Sequence, residues 1–305
     1  MDFQQLRVFR SAARSGGFTR AGEQLHLSQS TVSQHIRQLE EELECQLFLR
    51  TGKKVVLSEA GSLLLLYTDK IFQDLKHAGM AVRELSERQR GRVRLGTGAS
   101  TLIYRLSGIL NEYSRRFPEI ELVVVTGTTE FLLAGIRADQ LDLAIVMSPT
   151  PEPGLTMTPL GEEELVIVLG RQHPLASKRL LKREDLAKLR FIMYEKQTAM
   201  QSLIDNYFEM LQVEPQIAME IENIEAIKSL VAAGLGAAIL PRCSTEEPAR
   251  GTRIRVMPTT HQLVRKLGLV RLEGSMPPKT IAELSTALIA GLGQNPSVSP
   301  IETAN

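Results

Sequence analysis

The sequence predicts an α+β protein of several domains: a small helical unit with a hairpin, one long helix, and a larger α/β unit. Short helical patterns and a basic turn occupy residues 1–58, and a seven-residue apolar repeat runs through residues 59–90. Strand and helix patterns then alternate over residues 91–293. Residues 294–305 are polar and contain Pro and Ser, so we expect a flexible tail there.

The N-terminal unit begins with three predicted helices. Apolar residues fall on one face of residues 3–14, and a glycine pair ends that helix. Thr19 is placed to cap a second helix that ends near Leu25, and Ser28 to cap a third helix that runs to about Glu44. Two helices joined by so short a turn indicate a helix-turn-helix.

The third helix has one apolar and one polar face. Val32, Ile36 and Leu39 recur at helical spacing, which predicts a buried stripe. Residues 47–57 then follow a pattern of strand, basic turn and strand, which indicates a small hairpin. The whole order is typical of a winged helix-turn-helix. For any one of these features alone, a solvated amphipathic helix beside a charged loop is the alternative.

The exposed face of the third helix carries side chains that suit DNA. A helix fits the major groove, where hydroxyl and amide groups can donate to and accept from base edges. Basic side chains around such a helix can neutralise phosphates, and the amides at its start can hold another phosphate. The predicted DNA contacts are Arg20, Ser28, Gln29, Ser30, Ser33, Gln34, Arg37, Arg50, Lys53 and Lys54.

A long helix is predicted from about residue 59 to residue 88, with Ser58 as its cap. Apolar residues recur along it every seven residues, which favours pairing with a partner helix. Packing against the protein's own body is the alternative. The predicted dimerisation residues are Leu64, Ile71, Leu75, Ala78, Val82 and Leu85. The basic stretch around Gly91 indicates a hinge.

The N-terminal residues resemble the signature of the LysR-type transcriptional regulators. The resemblance is carried by residues 9–13, 25–43, 47–50 and 57–61. In that family the third helix enters the major groove and the long helix pairs subunits. The resemblance therefore implies base contacts from Gln29, Ser33 and Gln34, and phosphate contacts from Arg50 and Lys53. Ser30 and Gln34 depart from the proline and arginine that are common in the family at these two positions.

Three hydroxyl-bearing turns follow predicted strands in the α/β unit. They place Ser100 and Thr101, Thr128, and Thr198 where strands end and helices begin. Ligands of open α/β sheets bind at the carboxyl ends of strands, and helix starts attract anions. A dinucleotide-binding loop is a weak alternative, because Thr101 stands where the third glycine would be needed. Simple helix capping is the other alternative.

Two further segments, residues 139–145 and 231–241, resemble the effector domain of the same family. That domain is similar to periplasmic solute-binding proteins, with two α/β lobes and a cleft between them. The resemblance implies one lobe over about 92–161 and 265–292, and a second over about 162–264. It implies effector contacts from Ser100, Thr128, Thr198 and Asn223, and Thr101 beside Ser100 at the helix start is a further predicted contact.

The resemblance implies a bacterial regulator of transcription that binds double-stranded promoter DNA as a dimer or tetramer. Its effector is expected to be a small, anionic molecule held between the lobes. RNA polymerase is a further expected partner, and the cytoplasm is the expected location. The sequence leaves open whether the protein activates or represses, and whether dimers or tetramers form.

Other classes of protein fit the sequence less well. Its five histidines are scattered and it has no common catalytic motif, so we expect neither an enzyme nor a cofactor or metal. A transport-type solute-binding protein would explain only the C-terminal part and would need a secretory signal, which the acidic N-terminus does not resemble. No membrane span is expected. Cys45 and Cys243 lie far apart, which makes a redox sensor a minor alternative.

Overall fold

A computed structural model describes residues 1–51, 54–84, 91–147, 152–196, 198–245, 253–274 and 277–293. Lys53, Leu85, the basic stretch at 88–90 and the expected tail at 294–305 lie outside the described residues. The structure likewise leaves the side chains of Arg50 and Lys54 undescribed.

The N-terminal domain has the predicted order of elements. They are α1 (Phe3–Ser15), α2 (Phe18–Leu25), α3 (Gln29–Glu42), β1 (Phe48–Thr51) and β2 (Lys54–Leu57), with β1 and β2 antiparallel. Two predicted helix ends were wrong. Thr19 does not cap α2, because the helix already begins at Phe18, whose ring packs edge-on against Phe48 with a 5.3 Å centroid distance. Helix α3 ends at Glu42 because Glu44 adopts a positive φ of 51°.

The core of this domain lies under α3. Val32, Ile36 and Leu39 are buried as predicted and pack with Phe9 and Phe48. Apolar burial of this kind is the main source of stability in a domain of this size. The Glu40 carboxylate accepts the backbone N–H groups at the start of the hairpin, 2.7 Å from that of Leu47. Because the apolar face of α3 packs into this core, its polar face is turned toward solvent.

The long helix α4 (Glu59–Glu84) packs on the body of the chain with a polar face. Thr68, Asp69, Gln73 and His77 are all buried, although each is polar. Asp69 Oδ1 accepts from Arg10 Nε of α1 at 2.7 Å, so α4 is joined to the N-terminal domain. The opposite side of α4 is apolar and exposed.

The α/β unit begins with β3 (Gly91–Thr97), and its parallel neighbours are β4 (Ile120–Thr126) and β5 (Leu143–Met147). Between them lie α5 (Ala99–Thr101), a π-helical segment (Leu102–Leu106), α6 (Ser107–Arg116) and α7 (Thr129–Arg137). The later elements are β6 (Leu155–Gly170), α8 (Arg183–Leu186), β7 (Arg190–Met193), α9 (Ala199–Met210), β8 (Gln216–Glu220), α10 (Ile224–Ala232), β9 (Ala238–Pro241), β10 (Ile254–Met257), β11 (Val264–Leu272) and α11 (Lys279–Gly293). Short 3-10 helices lie at Pro174–Ser177 and Arg242–Thr245.

Strand β6 passes through both halves of this unit. Its residues 155–164 pair with β11, beside β5, β3 and β4; we call this half lobe I, and it includes α5–α7 and α11. Residues 165–170 pair instead with β9 and β10; this half is lobe II, with β7, β8 and α8–α10. Phe191 of β7 forms a parallel bridge with Ala237, which joins the pair β7–β8 to β9.

The sequence patterns missed strand β10 and the first half of β6. Residues 155–163 contain proline, glycine and two acidic residues, which disfavour a strand when taken locally. Pairing with β11 along its whole length outweighs these preferences. The remaining strand patterns of the unit all correspond to strands, and they lie at residues 93–96, 121–126, 142–147, 164–169, 191–194, 217–221, 237–240 and 267–272.

Lobe I has its core between the sheet and α11, where Leu95, Ile145, Leu284 and Leu288 are buried. Lobe II has its core around Phe191 and Phe208, whose ring centroids lie 5.0 Å apart. None of the helices in the described ranges is long and apolar enough to cross a membrane.

Candidate nucleic-acid interface and ligand cavity

The polar face of α3 is open, as the sequence predicts. Ser28 caps the helix, its Oγ accepting the N–H of Thr31 at 3.1 Å. The Ser30 hydroxyl lies 2.7 Å from the Ser28 hydroxyl, so the two side chains form a hydrogen bond at the helix start. The exposed predicted contacts on this helix and its cap are Ser28, Gln29, Ser30, Gln34 and Arg37, and Ser33 is half-buried.

Two basic residues lie at the edges of this face. Arg37 Nε pairs with Glu41 Oε1 at 2.8 Å, but the Arg37 side chain is 81% exposed. An exposed pair of this kind contributes little to stability, so its arginine can exchange partners for a phosphate at small cost. Arg20 is exposed on α2. The backbone places Arg50 on β1 and Lys54 on β2, the two strands of the hairpin.

A cavity of about 200 Å³ lies between the two lobes. Ser100, Thr101, Thr128 and Thr198 all line it, so the structure brings together hydroxyl groups from three separate turns. Its apolar walls include Leu132, Ile145, Met147, Met200, Ile224 and Leu267. Two exposed carboxylates, those of Glu195 and Glu222, also border it.

Two of these hydroxyls also cap helices. Thr128 Oγ1 accepts the N–H of Phe131 at 3.3 Å, and Thr198 Oγ1 accepts that of Gln201 at 3.1 Å. Capping and lining are compatible, because a hydroxyl oxygen has two lone pairs and one proton. Asn223 is different: it does not line the cavity, and its Oδ1 is taken by the N–H groups of Glu225 and Ala226 at the start of α10.

Sequence reasoning missed the one guanidinium among the cavity's lining residues, that of Arg265. It lies on β11 directly opposite Glu163 of β6, and Nε lies 2.6 Å from Glu163 Oε2. Nη1 donates to Ser100 Oγ at 2.9 Å. The available signal was a basic residue just before an apolar strand, but the pattern did not reveal what lies opposite it.

The charge on Glu163 is shared by two guanidinium groups. Arg105 Nη1 lies 3.2 Å from Glu163 Oε1. All three side chains are nearly buried, with exposed fractions of 4% for Arg265, 5% for Glu163 and 11% for Arg105. The next carboxylate along β6, that of Glu164, pairs with Arg242 at 2.6 Å. The cluster of Arg105, Glu163 and Arg265 therefore holds one more positive than negative charge.

The phenol of Tyr194 adds a donor to the cavity wall. Its oxygen is buried and has no hydrogen-bond partner among the described residues. Burial raises the pKa of this phenol, the nearby charge of Arg265 lowers it in part, and Cys243 raises it further. The net pKa is well above its ordinary value, so the hydroxyl keeps its proton and can donate it to a ligand.

Sequence comparisons identify both parts of the chain. Residues 3–62 match the model of the bacterial regulatory helix-turn-helix protein, lysR family, and residues 86–292 match the LysR substrate binding domain. A probable RuBisCO transcriptional regulator of Synechocystis sp. is 32% identical over 269 residues, which span 86% of this chain and 78% of that protein.

Solved structures share the fold. A full-length OxyR variant from Pseudomonas aeruginosa covers 96% of this chain and 94% of its own, with 21% identity and a TM-score of 0.67. Full-length CbnR in complex with its target DNA covers 95% of this chain and all of its own, with 19% identity and a TM-score of 0.58. With both family models matched in chain order, on a winged helix-turn-helix and a two-lobed α/β domain, the chain belongs to the LysR family of DNA-binding transcriptional regulators.

Proposed function

We propose that this regulator binds promoter DNA as a dimer or tetramer and responds to a small anionic effector held between its two lobes. The anionic effector is inferred from one observation: in the buried cluster of Arg105, Glu163 and Arg265, two guanidinium groups face a single carboxylate. RNA polymerase and the cytoplasm belong to the same proposal, because a regulator of promoters acts where transcription takes place.

The anionic character of the effector rests on electrostatics. Burying an uncompensated charge costs several kcal/mol, unless a counter-charge accompanies it. Arg265 borders the cavity, and its Nη2 makes no well-directed hydrogen bond within the described residues. An anion in the cavity would give Arg265 an acceptor of its own and would balance the charge of the cluster.

The size of the cavity limits the effector. At about 200 Å³ it is smaller than the roughly 300–1,000 Å³ of pockets that hold drug-sized ligands. We therefore propose a metabolite of small size rather than a nucleotide or a peptide.

Self-association is supported by the outer face of α4. Tyr67, Leu75 and Val82 are 60%, 56% and 68% exposed, and Leu63 and Leu66 continue the same apolar surface. Of the predicted dimerisation residues, Leu75, Ala78 and Val82 are exposed and Ile71 is half-buried. Leu64 turns inward against the core of the DNA-binding domain, so we leave it out of the proposed interface.

Communication between the effector and the DNA-binding domain has a short covalent path in α7. Thr128 at the start of α7 lines the cavity, and Arg137 at its end presents a carbonyl to the guanidinium of Arg14 in α1. The Ala138 carbonyl accepts from the same guanidinium. A ligand that binds one lobe arrangement more tightly would shift the position of α7. This shift would change the hydrogen bonds between the end of α7 and Arg14 of α1.

The test is to mix the purified protein with fragments of its own source genome and to sequence the retained DNA. We expect a few intergenic fragments that share an inverted repeat. Replacing Gln29 and Gln34 of α3 by Ala should abolish this enrichment, while Gln4→Ala, an exposed amide on α1, should leave it intact. Equal retention by all three proteins would overturn the proposed reading surface.

A further inference from the structure

We propose that Arg265 is the receptor for a carboxylate group of the effector, and that Glu163 is the counter-ion which this carboxylate displaces. The inference rests on the proposed function, since it names the chemical class of the molecule that enters the same cavity. That class is a small monocarboxylic acid with a compact apolar body.

The position of the pair makes it suited to sense a ligand. Arg265 and Glu163 face each other at the point where β6 leaves lobe I, two residues before its pairing changes to β9 at Leu165. Ser100, which accepts from Arg265 Nη1, belongs to lobe I, whereas Tyr194 follows β7 in lobe II. A ligand on Arg265 therefore lies against both lobes.

One oxygen of Glu163 holds the Nε–Nη2 edge of the guanidinium, and this is the edge that a ligand carboxylate would take over. Nε and Nη1 have well-formed hydrogen bonds to Glu163 and Ser100, at 2.6 and 2.9 Å. Nη2 lies 2.5 Å from Glu163 Oε2 but makes no well-directed hydrogen bond in the described part of the chain. A carboxylate can take two parallel N–H groups of a guanidinium, which is the geometry that arginine favours.

The charges balance once such a carboxylate binds. Two guanidinium groups then face two carboxylates, because Glu163 keeps its contact with Arg105 while the ligand takes Arg265. The buried phenol of Tyr194 supplies a neutral donor to the second carboxylate oxygen or to a hydroxyl of the ligand. A second anionic group on the ligand would add uncompensated negative charge, and the two exposed carboxylates of Glu195 and Glu222 would repel it.

The rest of the cavity selects an apolar body. Its remaining wall is formed by aliphatic and thioether side chains, and Leu132, Ile145 and Leu267 are buried. Contact with such a wall stabilises a hydrocarbon group by roughly 25 cal/mol per Å² of buried apolar surface. Inorganic anions would satisfy Arg265 but would leave this wall without a partner.

The experiment compares acids with their uncharged amides, using butyrate with butyramide and cyclohexanecarboxylate with cyclohexanecarboxamide. Binding to the full-length protein is measured by titration calorimetry at millimolar ligand. We expect at least one acid to bind at least about tenfold more tightly than its amide, which corresponds to one charge-assisted hydrogen-bond pair. Equal affinities of acid and amide in both pairs would overturn the proposal.

Three variants test whether the preference for the acid over the amide depends on Arg265 and Glu163. Arg265→Met should remove the preference for the acid, while Lys266→Met, the next residue on β11 with an exposed side chain, should keep it. Glu163→Gln should increase the affinity for the acid and leave the affinity for the amide unchanged. Because that variant leaves two buried guanidiniums without a counter-ion, the wild type, Arg265→Met and Lys266→Met decide the proposal by themselves.

Failure of this inference differs from failure of the proposed function. If no acid binds the wild type while genomic fragments are still selectively retained, the regulator stands and the carboxylate class is excluded. An unchanged preference in Arg265→Met excludes Arg265 as the receptor. Loss of selective DNA retention in the wild type contradicts the proposed function instead.

Discussion

Lys76 Nζ of the long helix α4 lies 2.5 Å from Asp142 Oδ1 at the start of β5. The Asp142 side chain is fully buried and also accepts from the backbone N–H of Arg94 at 2.8 Å and from its Nη2 at 2.9 Å. One carboxylate therefore joins α4 to two strands of lobe I. The position of the DNA-binding domain relative to the cavity depends in part on this residue.

Asp142→Asn should destabilise the protein strongly. The change leaves Lys76 and Arg94 without their shared counter-charge, and removal of one partner from a buried ion pair costs about 3–5 kcal/mol. Chemical unfolding of the full chain measures the difference in the free energy of unfolding. Glu112→Gln, an exposed carboxylate on α6 of the same lobe, is the matched control and should stay within about 0.5 kcal/mol of the wild type. A loss in Asp142→Asn no greater than in this control would show that the junction contributes nothing.

The same carboxylate should shape the acid limb of the stability curve. Burial raises the pKa of Asp142, but the hydrogen bonds and charges of Arg94 and Lys76 outweigh burial and hold the pKa below its ordinary value. A carboxyl with a depressed folded-state pKa stabilises the fold above its unfolded pKa of about 4, and this stabilisation is lost as the pH falls further. Unfolding by urea at a series of pH values should show a steeper loss below about pH 4 in the wild type than in Asp142→Asn. Parallel curves would contradict the assignment.

Arg14→Met should uncouple the DNA-binding domain from lobe I. The guanidinium of Arg14 contacts Asp69 of α4 and the carbonyl groups of Arg137 and Ala138, so its loss frees the end of α7. Arg10 still pairs with Asp69, and we expect a loss of about 1–3 kcal/mol. Calorimetry should show the thermal transition broadening or splitting in two. Arg7→Met, an exposed arginine on the same helix, should leave a single transition. The same sharp transition in both variants would exclude a coupling role for Arg14.

Leu75→Glu should weaken self-association. Leu75 is 56% exposed in the middle of the apolar surface of α4, and each charge placed there must be desolvated on pairing. We expect the dissociation constant of the dimer to rise at least about tenfold, as measured by sedimentation velocity over a concentration series. Leu180→Glu, an exposed leucine of lobe II, tests whether any surface charge has this effect. Unchanged association in Leu75→Glu would remove α4 from the interface.

Local patterns in the sequence were sufficient for the DNA-binding domain. Its helices and hairpin follow from apolar spacing and caps within a few residues, and the same spacing that buries Val32 and Ile36 exposes the polar face of α3. The hydroxyl turns at Ser100, Thr128 and Thr198 were also visible, because each lies between an apolar strand and the start of a helix. Ser100 and Thr128 meet because β3 and β4 are parallel neighbours, whereas Thr198 follows β7 of lobe II and reaches the cavity through the packing of the two lobes.

The sequence by itself determined most of the elements, the family and the three hydroxyl turns, since these depend on neighbours along the chain. Strand β10 and the first half of β6 were decided by pairing with strands distant in sequence. The tertiary structure alone decided which charges meet. Arg265 and Glu163 are 102 residues apart, and only the register of β11 on β6 sets them opposite each other. Tertiary structure also decided that Leu64 packs against the core of the DNA-binding domain while Leu75 stays exposed. An apolar repeat indicates which residues share a helix face, but it does not indicate which part of the protein that face contacts.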